Sequence, residues 1–214
     1  MKYRLLMLLF GMFCSAAWAE ESPLLQAWQS VTGAESPVVL VPNAQYLRVN
    51  VAGNEAYLVA DPVSEIDGRP LETWYSADRV ILRLQDGRVA ALIGTMAEWR
   101  QVSQLAAPDW RAAARAEAPL HWVRVRDVLP DYRYGVRDAL TLRRIDAPDD
   151  SQLRALSAQT LTWFEETTED GSLPPARYAV NLAGERAVVM YGEQCLTPAY
   201  CLTWQRWTGG QATK

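Results

Sequence analysis

Residues 78–94, DRVILRLQDGRVAALIG, set two short apolar runs on either side of an Asp-Gly pair. Val80, Leu82 and Leu84 fall on one side of an extended chain, and Ile81 and Arg83 on the other, because successive side chains of a strand point to opposite faces. Asp86-Gly87 supplies the two residues that a tight hairpin requires at positive φ. The same period of two recurs upstream, where Leu47, Val49 and Val51 alternate with Tyr46, Arg48 and Asn50 before a turn at Gly53-Asn54. The fold class that follows is mainly β: antiparallel, barrel-like or curved half-barrel sheets with small accessory helices.

Further along, EIDGRP at 65–70 reads as a turn leading into LETWYS. In LHWVRVRDV, from 120, His121, Val123, Val125 and Asp127 share one face, while Trp122, Arg124, Arg126 and Val128 share the other. PDYRYG turns the chain into VRDALTLRRI, and residues 153–171 read as two strands or one long bent strand. Residues 176–194 give a strand, a Gly turn and a strand, and CLTWQRW closes the core. Two stretches carry helical signals. Residues 22–33 offer Ser22 as cap, Pro23 at the first position, Gly33 at the exit, and Leu24, Leu25, Trp28 and Val31 on one face. The Ala-rich segment 103–118 starts a helix of two or three turns at Pro108-Asp109, ending before Pro119. The organisation expected is a leader (1–19), one compact β region (20–207) and a tail (208–214). Within the β region, halves at about 38–102 and 119–207 meet at the Ala-rich joint. A brief echo between 49–59 and 180–190, each a strand entering and leaving a Gly turn, fits two halves.

The first 19 residues have a basic start at Lys2 and Arg4, an apolar run from Leu5 to Phe13, and small residues at Ala17 and Ala19. This is an export leader cleaved after Ala19, too short to span a bilayer. Bulky Phe13 ahead of Cys14 argues against lipidation there, so a soluble periplasmic form starting at Glu20 is expected. Losing Lys2 and Arg4 takes Lys+Arg from 21 to 19 against 25 Asp+Glu, so the formal charge moves from -4 to -6. That balance gives no footprint for nucleic acid. Half of the residues are apolar and 21% are charged, which excludes a disordered chain.

Two cysteines remain, Cys195 and Cys201. In an oxidising compartment they are most simply a disulfide around LTPAY, contributing ~2 kcal/mol by loop closure; two buried thiols are the alternative. Without further ligands they make a poor zinc site, and a single His excludes multi-imidazole centres. No metal or cofactor is expected.

Chemistry is sparse. Glu165 and Glu166 are adjacent on an apolar strand and so point to opposite faces, unlike paired carboxylates that act across one substrate. His121 lacks a nucleophile elbow around any Ser. None of the three is assigned a catalytic role, and no enzyme activity is expected. Eight Trp follow the leader; they fill and rim a β core, or stack on sugars. Trp204 and Trp207, three apart, cannot share a strand face, which favours exposure of at least one. Trp122, Arg124 and Arg126 share a face where a ring and two guanidinium forks would hold a sugar and its carboxylate. The same face would equally suit a core Trp rimmed by solvated arginines.

From about Val38 to Trp207 the sequence resembles the YjbF/GfcB-type family, encoded with group 4 capsule and related exopolysaccharide export systems and usually lipoproteins. The resemblance lies in YLRVN at 46–50, WYSAD at 74–78 leading to LQDGR at 84–88, PDYRYG at 130–135, Glu165-Glu166, RYAVNLAG at 177–184 and GEQ at 192–194. It implies an antiparallel β protein of barrel-like halves that acts in the periplasm in polysaccharide secretion or assembly, with no catalytic set. The implied partners are export components or an acidic polysaccharide, near the outer membrane. Here Ala179 stands where the family usually has Trp, and Gly192-Glu193-Gln194 where it has Ser-Arg-Gln. A stand-alone carbohydrate-binding module and a glycan-modifying enzyme are the alternatives.

Overall fold

The alternating runs become strands, and the strands join edge to edge in a single antiparallel sheet. The computed structural model describes residues 40, 41, 44–66 and 68–208. The leader, Cys14, the helix expected at 22–33 with Trp28, and the tail from 209 lie outside the described residues.

The strands are β1 (Gln45–Val51), β2 (Asn54–Ala60), β3 (Ser64–Ile66), β4 (Arg69–Tyr75), β5 (Ile81–Gln85), β6 (Arg88–Ile93), β7 (Glu98–Ser103), β8 (Leu120–Leu129), β9 (Arg133–Ile145), β10 (Thr162–Thr168), β11 (Ala176–Asn181), β12 (Val188–Thr197) and β13 (Tyr200–Thr208), with α1 (Trp110–Arg115) between β7 and β8. The sheet runs β2-β1-β13-β12-β11-β10-β9-β8-β7-β6-β5-β4-β3, and β2 also pairs with β4, giving the sheet a ring-like, half-barrel form. The closing seam is short, with Val59 opposite Tyr75 and Ala60 opposite Trp74. The first strand, by contrast, pairs with the last along its whole length, from Gln45↔Thr208 to Val51↔Leu202.

The β5–β6 hairpin is as its sequence dictates. Asp86 and Gly87 take φ of 50° and 77°, and Val80, Leu82 and Leu84 are buried while Arg83 is exposed. Gly87 also has a packing reason to lack a side chain, since a Cβ there would lie 2.2 Å from Val189 Cγ2 across the ring. The β1–β2 turn differs from expectation by one residue. Ala52 and Gly53 hold the positive φ values, Asn50 Oδ1 accepts from the Gly53 N–H at 3.0 Å, and Asn54 already belongs to β2.

Three other expectations are corrected. Glu65 and Ile66 of EIDGRP form β3 and pair with Pro70 and Arg69 of β4; every residue of β3 is exposed, so no alternation marks it. Residues 153–161 are not strand. They form a strap on the outer surface, with only a 3-10 turn at Ala158–Thr160, because side chains rather than a neighbouring strand satisfy its backbone. Gln152 N donates to Tyr191 Oη at 3.0 Å, Arg154 N donates to Gln205 Oε1 at 3.0 Å, and Gln205 Nε2 donates back to Arg154 O at 2.6 Å. Leu153, Ala158 and Leu161 pack there against buried Trp163, Ala179 and Tyr191. Finally, Trp204 and Trp207 do point to opposite faces, yet both are buried: Trp204 in the core, Trp207 near Arg48 and Tyr57.

The interior holds one large cluster, including Leu47, Val49, Leu58, Leu82, Leu92, Trp99, Phe164, Tyr178 and Trp204. Gly192 makes room for Trp204, whose ring would lie 2.3 Å from any Cβ at that position. The Ala-rich segment yields a helix shorter than expected. Asp109 caps it by accepting from Arg111 N at 3.0 Å and Ala112 N at 2.9 Å. The helix presents Trp110 to Phe164 and Tyr178, with ring centroids 5.3 and 5.1 Å apart. The flanking strands β7 and β8 pair directly, from Glu98↔Leu129 onward.

Candidate functional site: a charged cleft and the ion chain beneath it

β4 begins, β5 ends and β13 ends at the same rim of the ring as α1 begins. A cleft of about 590 Å³ opens there, lined by Arg69, Glu72, Asp86, Asp109, Arg111, Glu185, Arg186 and Arg206 among others. Four cations thus face four anions. Three of the arginines are fixed by carbonyls. Arg69 donates to Gln104 O and Ala107 O at 3.3 and 2.7 Å, Arg111 donates to Gly184 O, and Arg206 donates to Val189 O at 2.9 Å while pairing with Glu72. Glu185 and Arg186, on the β11–β12 loop, are exposed. Alternating charge with exposed tips suits a polar ligand rather than an apolar molecule.

Asp86 on this cleft starts a chain of alternating charge that runs into the interior. Arg88 Nη1 lies 3.6 Å from Asp86, and Arg88 Nε 3.7 Å from Glu166. Glu166 in turn lies 3.5 Å from Arg124, which reaches Asp138 at 2.9 Å, and Asp138 meets Arg126 at 2.7 Å. The formal charges of the six residues cancel. Trp rings line the path: Arg88 sits 3.6 Å from the Trp110 centroid, and Arg124 and Arg126 sit 4.5 and 5.0 Å from that of Trp99. Such stacking partly compensates guanidiniums for lost water.

The chain is uneven. Asp138 accepts from Arg124 Nε at 2.9 Å and from Arg126 Nε and Nη2 at 2.7 and 3.0 Å. At Glu166 the ion pairs are longer, and Glu166 Oε2, Arg88 Nε, Arg88 Nη1 and Trp122 Nε1 are all buried without a hydrogen-bond partner among the described residues. Burial pushes the Glu166 carboxyl above its ordinary value, opposed by Arg124 and Arg88, and pulls Arg88 below its own. Burial also raises Asp86, against the opposing charge of Arg88.

These facts relocate the face that the sequence reading assigned to glycan. Trp122, Arg124 and Arg126 do share one side of β8, but that side is the inner one, with exposures of 5%, 3% and 5%. Their correction has a simple cause. β9 places Asp138 directly opposite Arg124, so the guanidiniums are neutralised within the sheet instead of reaching solvent. The signal was present in VRDALTL, where Asp138 stands at an inward position between Val136 and Leu140. Arg88 and the cleft arginines carried no comparable mark.

The other residues singled out are dispersed. Glu165 and Glu166 point to opposite faces as expected. Glu165 is half-buried on the outside, where Arg143 Nη2 donates to it at 2.6 Å. His121 is exposed, its Nδ1 3.0 Å from Glu169 Oε1 and 3.2 Å from Thr141 Oγ1, so the structure does not bring it to Glu166. Cys195 and Cys201 form the disulfide, directly opposite one another on β12 and β13. All seven described Trp are buried, as the core-filling reading expects. Among the described residues, no cluster of His, Cys, Asp and Glu is arranged to hold a metal, and no helix is long and apolar enough to cross a membrane.

A ring-like antiparallel half-barrel with a charged cleft at one rim is the class that fold and cleft define. No family model matches the chain, and no curated relative matches it. Among solved structures it is similar to the crystal structure of the hypothetical lipoprotein YmcC from Escherichia coli (K12). The identity is 12% and the TM-score 0.57, with 90% of this chain and all of that chain covered. The likeness is one of fold.

Proposed function

We propose that the protein is a non-enzymatic accessory factor of the bacterial envelope that contacts a charged polysaccharide during capsule or exopolysaccharide export, within the YjbF/GfcB-type family. The observation that carries this reading is the cleft: a concave rim of four arginines and four carboxylates, with Arg69, Arg111 and Arg206 held by carbonyls. Fixed forks bind carboxylate and hydroxyl groups without losing much side-chain freedom. The segment-by-segment resemblance from 46 to 194 supports the pathway, and the fold shared with a hypothetical lipoprotein supports an envelope setting.

The test is titration of the purified protein with an acidic polysaccharide and with its carboxyl-reduced, neutral counterpart. Binding should favour the acidic polymer, weaken with salt, and fall about tenfold in Arg186→Ala, whose exposed head can be removed without opening the core. Equal affinity for both polymers, or cleavage of either into shorter fragments, would overturn the reading.

A further inference from the structure

The opposite rim of the ring is built from different material. Inside it, Val49, Ala56, Leu58, Leu82, Leu92 and Leu202 border an apolar cavity of about 70 Å³. The turns of this rim are braced. Val80 N donates to Ser76 Oγ at 3.0 Å, Gly94 N donates to Glu98 Oε1 at 2.8 Å, and the Cys195–Cys201 disulfide pins the β12–β13 hairpin. On the outer surface of the same rim lies a second concavity, of about 530 Å³. It is enclosed by the β1–β2 turn, the β12–β13 turn, Met96 of the β6–β7 loop and Gln152 beside the strap. None of the described residues lining it is charged, in contrast to the cleft of the α1 rim. We propose that this outer concavity is a binding site for a neutral sugar ring.

The lining has the two halves that such a ring requires. Its polar half is Asn50, Asn54, Gln152 and Thr203. Asn50 and Thr203 stand opposite each other on β1 and β13, on the outward face, since Val49, Val51, Leu202 and Trp204 on either side of them are buried. Two of the amides are held by their oxygens. Asn50 Oδ1 accepts from Gly53 N at 3.0 Å, and Gln152 Oε1 accepts from Thr203 Oγ1 at 3.5 Å. The backbone of Gln152 is fixed as well, its N–H by Tyr191 Oη and its carbonyl by Arg48 Nη1. Both NH2 groups are thereby left to donate, and the Asn54 amide, exposed at the head of β2, engages no other described side chain. A sugar hydroxyl both donates and accepts, so one ring can take N–H bonds from Asn50 and Gln152 and return its own to Asn54 Oδ1. Donors already oriented lose little freedom on binding. The apolar half is Ala52, Met96, Ala199 and Tyr200, which suits the C–H face of a pyranose. Neutrality follows from the surroundings. The carboxylates in register with Asn50 and Thr203 are Glu55 and Glu193. Glu55 is already paired with Arg48 and Arg154, and Glu193 with Arg177, so a charged ligand finds no counter-ion here. The site lies away from the charged cleft and does not depend on polymer binding there.

The test is nuclear magnetic resonance titration of the isotope-labelled protein with the methyl glycosides of glucose, galactose, mannose and glucuronic acid. At least one neutral glycoside should shift the side-chain NH2 signals of Asn50, Asn54 and Gln152 to saturation, with an affinity unchanged by salt. The glucuronide should bind no more tightly than methyl glucoside. Asn54→Ala and Gln152→Ala remove exposed side chains, so both variants keep the fold, and each should weaken binding about tenfold. The double variant should bind an acidic polysaccharide as the unaltered protein does, and Arg186→Ala should leave the glycoside affinity as it was, so failure here and failure of the cleft reading are told apart. The proposal is overturned by the absence of a saturable shift with all three neutral glycosides, or by full affinity in the folded double variant. Binding that requires the carboxylate, weakens with salt or disappears in Arg186→Ala would overturn it too, because the ligand would then occupy the charged cleft.

Discussion

The two rims of the ring solve the same problem in opposite ways. At the α1 rim the interior is occupied by large rings and guanidiniums, each cation set against an anion, from Asp86 through Arg88 and Glu166 to Asp138. At the disulfide rim the inward positions around the cavity are Val, Ala and Leu, and space is left over. One rim is stabilised by pairing, the other by covalent and hydrogen-bonded bracing. The difference teaches that burial alone does not tell a core from a site: Arg124 and Leu82 are both inaccessible, but one is held between two carboxylates and the other borders a void.

The largest effect should come from cutting the ion chain at its best-made joint. Asp138→Asn leaves Arg124 and Arg126 buried with one neutral acceptor and should cost ~3 to 5 kcal/mol in urea unfolding. Glu166→Gln should cost clearly less, because its ion pairs are the longer ones and burial already pushes its carboxyl above the ordinary value. Equal costs would show that the chain is uniform. Removing the brace on the other rim is next. Cys195→Ser with Cys201→Ser should lose ~2 kcal/mol, read by the same method, and a loss matching that of Asp138→Asn would erase the contrast between rims.

Acidity distinguishes the rims further. Glu166 and Asp86 have folded-state values raised by burial. Across the window between the unfolded and folded values the unfolded chain has released protons that the folded chain keeps, so stability falls as pH rises through it. This contribution is lost above the folded value and fully present below the unfolded one. Unfolding midpoints followed upward from the ordinary Glu value of 4.5 should therefore show a negative contribution that Glu166→Gln removes in part. An unchanged slope in that variant would place the effect elsewhere. The smallest change should follow His121→Ala, an exposed outer-face substitution worth within about 0.5 kcal/mol. A larger loss of stability would show that the outer face contributes more than its exposure indicates.

The sequence made the strands legible wherever one face is apolar and the other polar, as in 80–93 and 120–128. It hid them where that contrast is missing: exposed β3 has no apolar side, and the strap over 153–161 mimics a strand because Leu153 and Leu161 face the sheet. The alternation in β8 was read correctly, but alternation does not say which face is inward when that face carries two arginines. Only the pairing of Arg124 with Asp138, fourteen residues later in a neighbouring strand, decides it. The cleft was invisible for a related reason. Its residues come from 68–72, 86–87, 109–111, 185–189 and 206, and no local spacing announces that these turns converge.

The pairing of β1 with β13 has a consequence in time. A chain emerges from synthesis N-terminus first, yet the whole of β1 hydrogen-bonds to a strand that begins at Tyr200. Hairpins such as β5–β6 can form as soon as they appear, while the last partner of Leu47 and Val49 does not exist until nearly every other residue does. Completing the β1–β13 ladder is therefore a late, long-range event, of the kind that slows folding and leaves an early strand edge open to wrong partners.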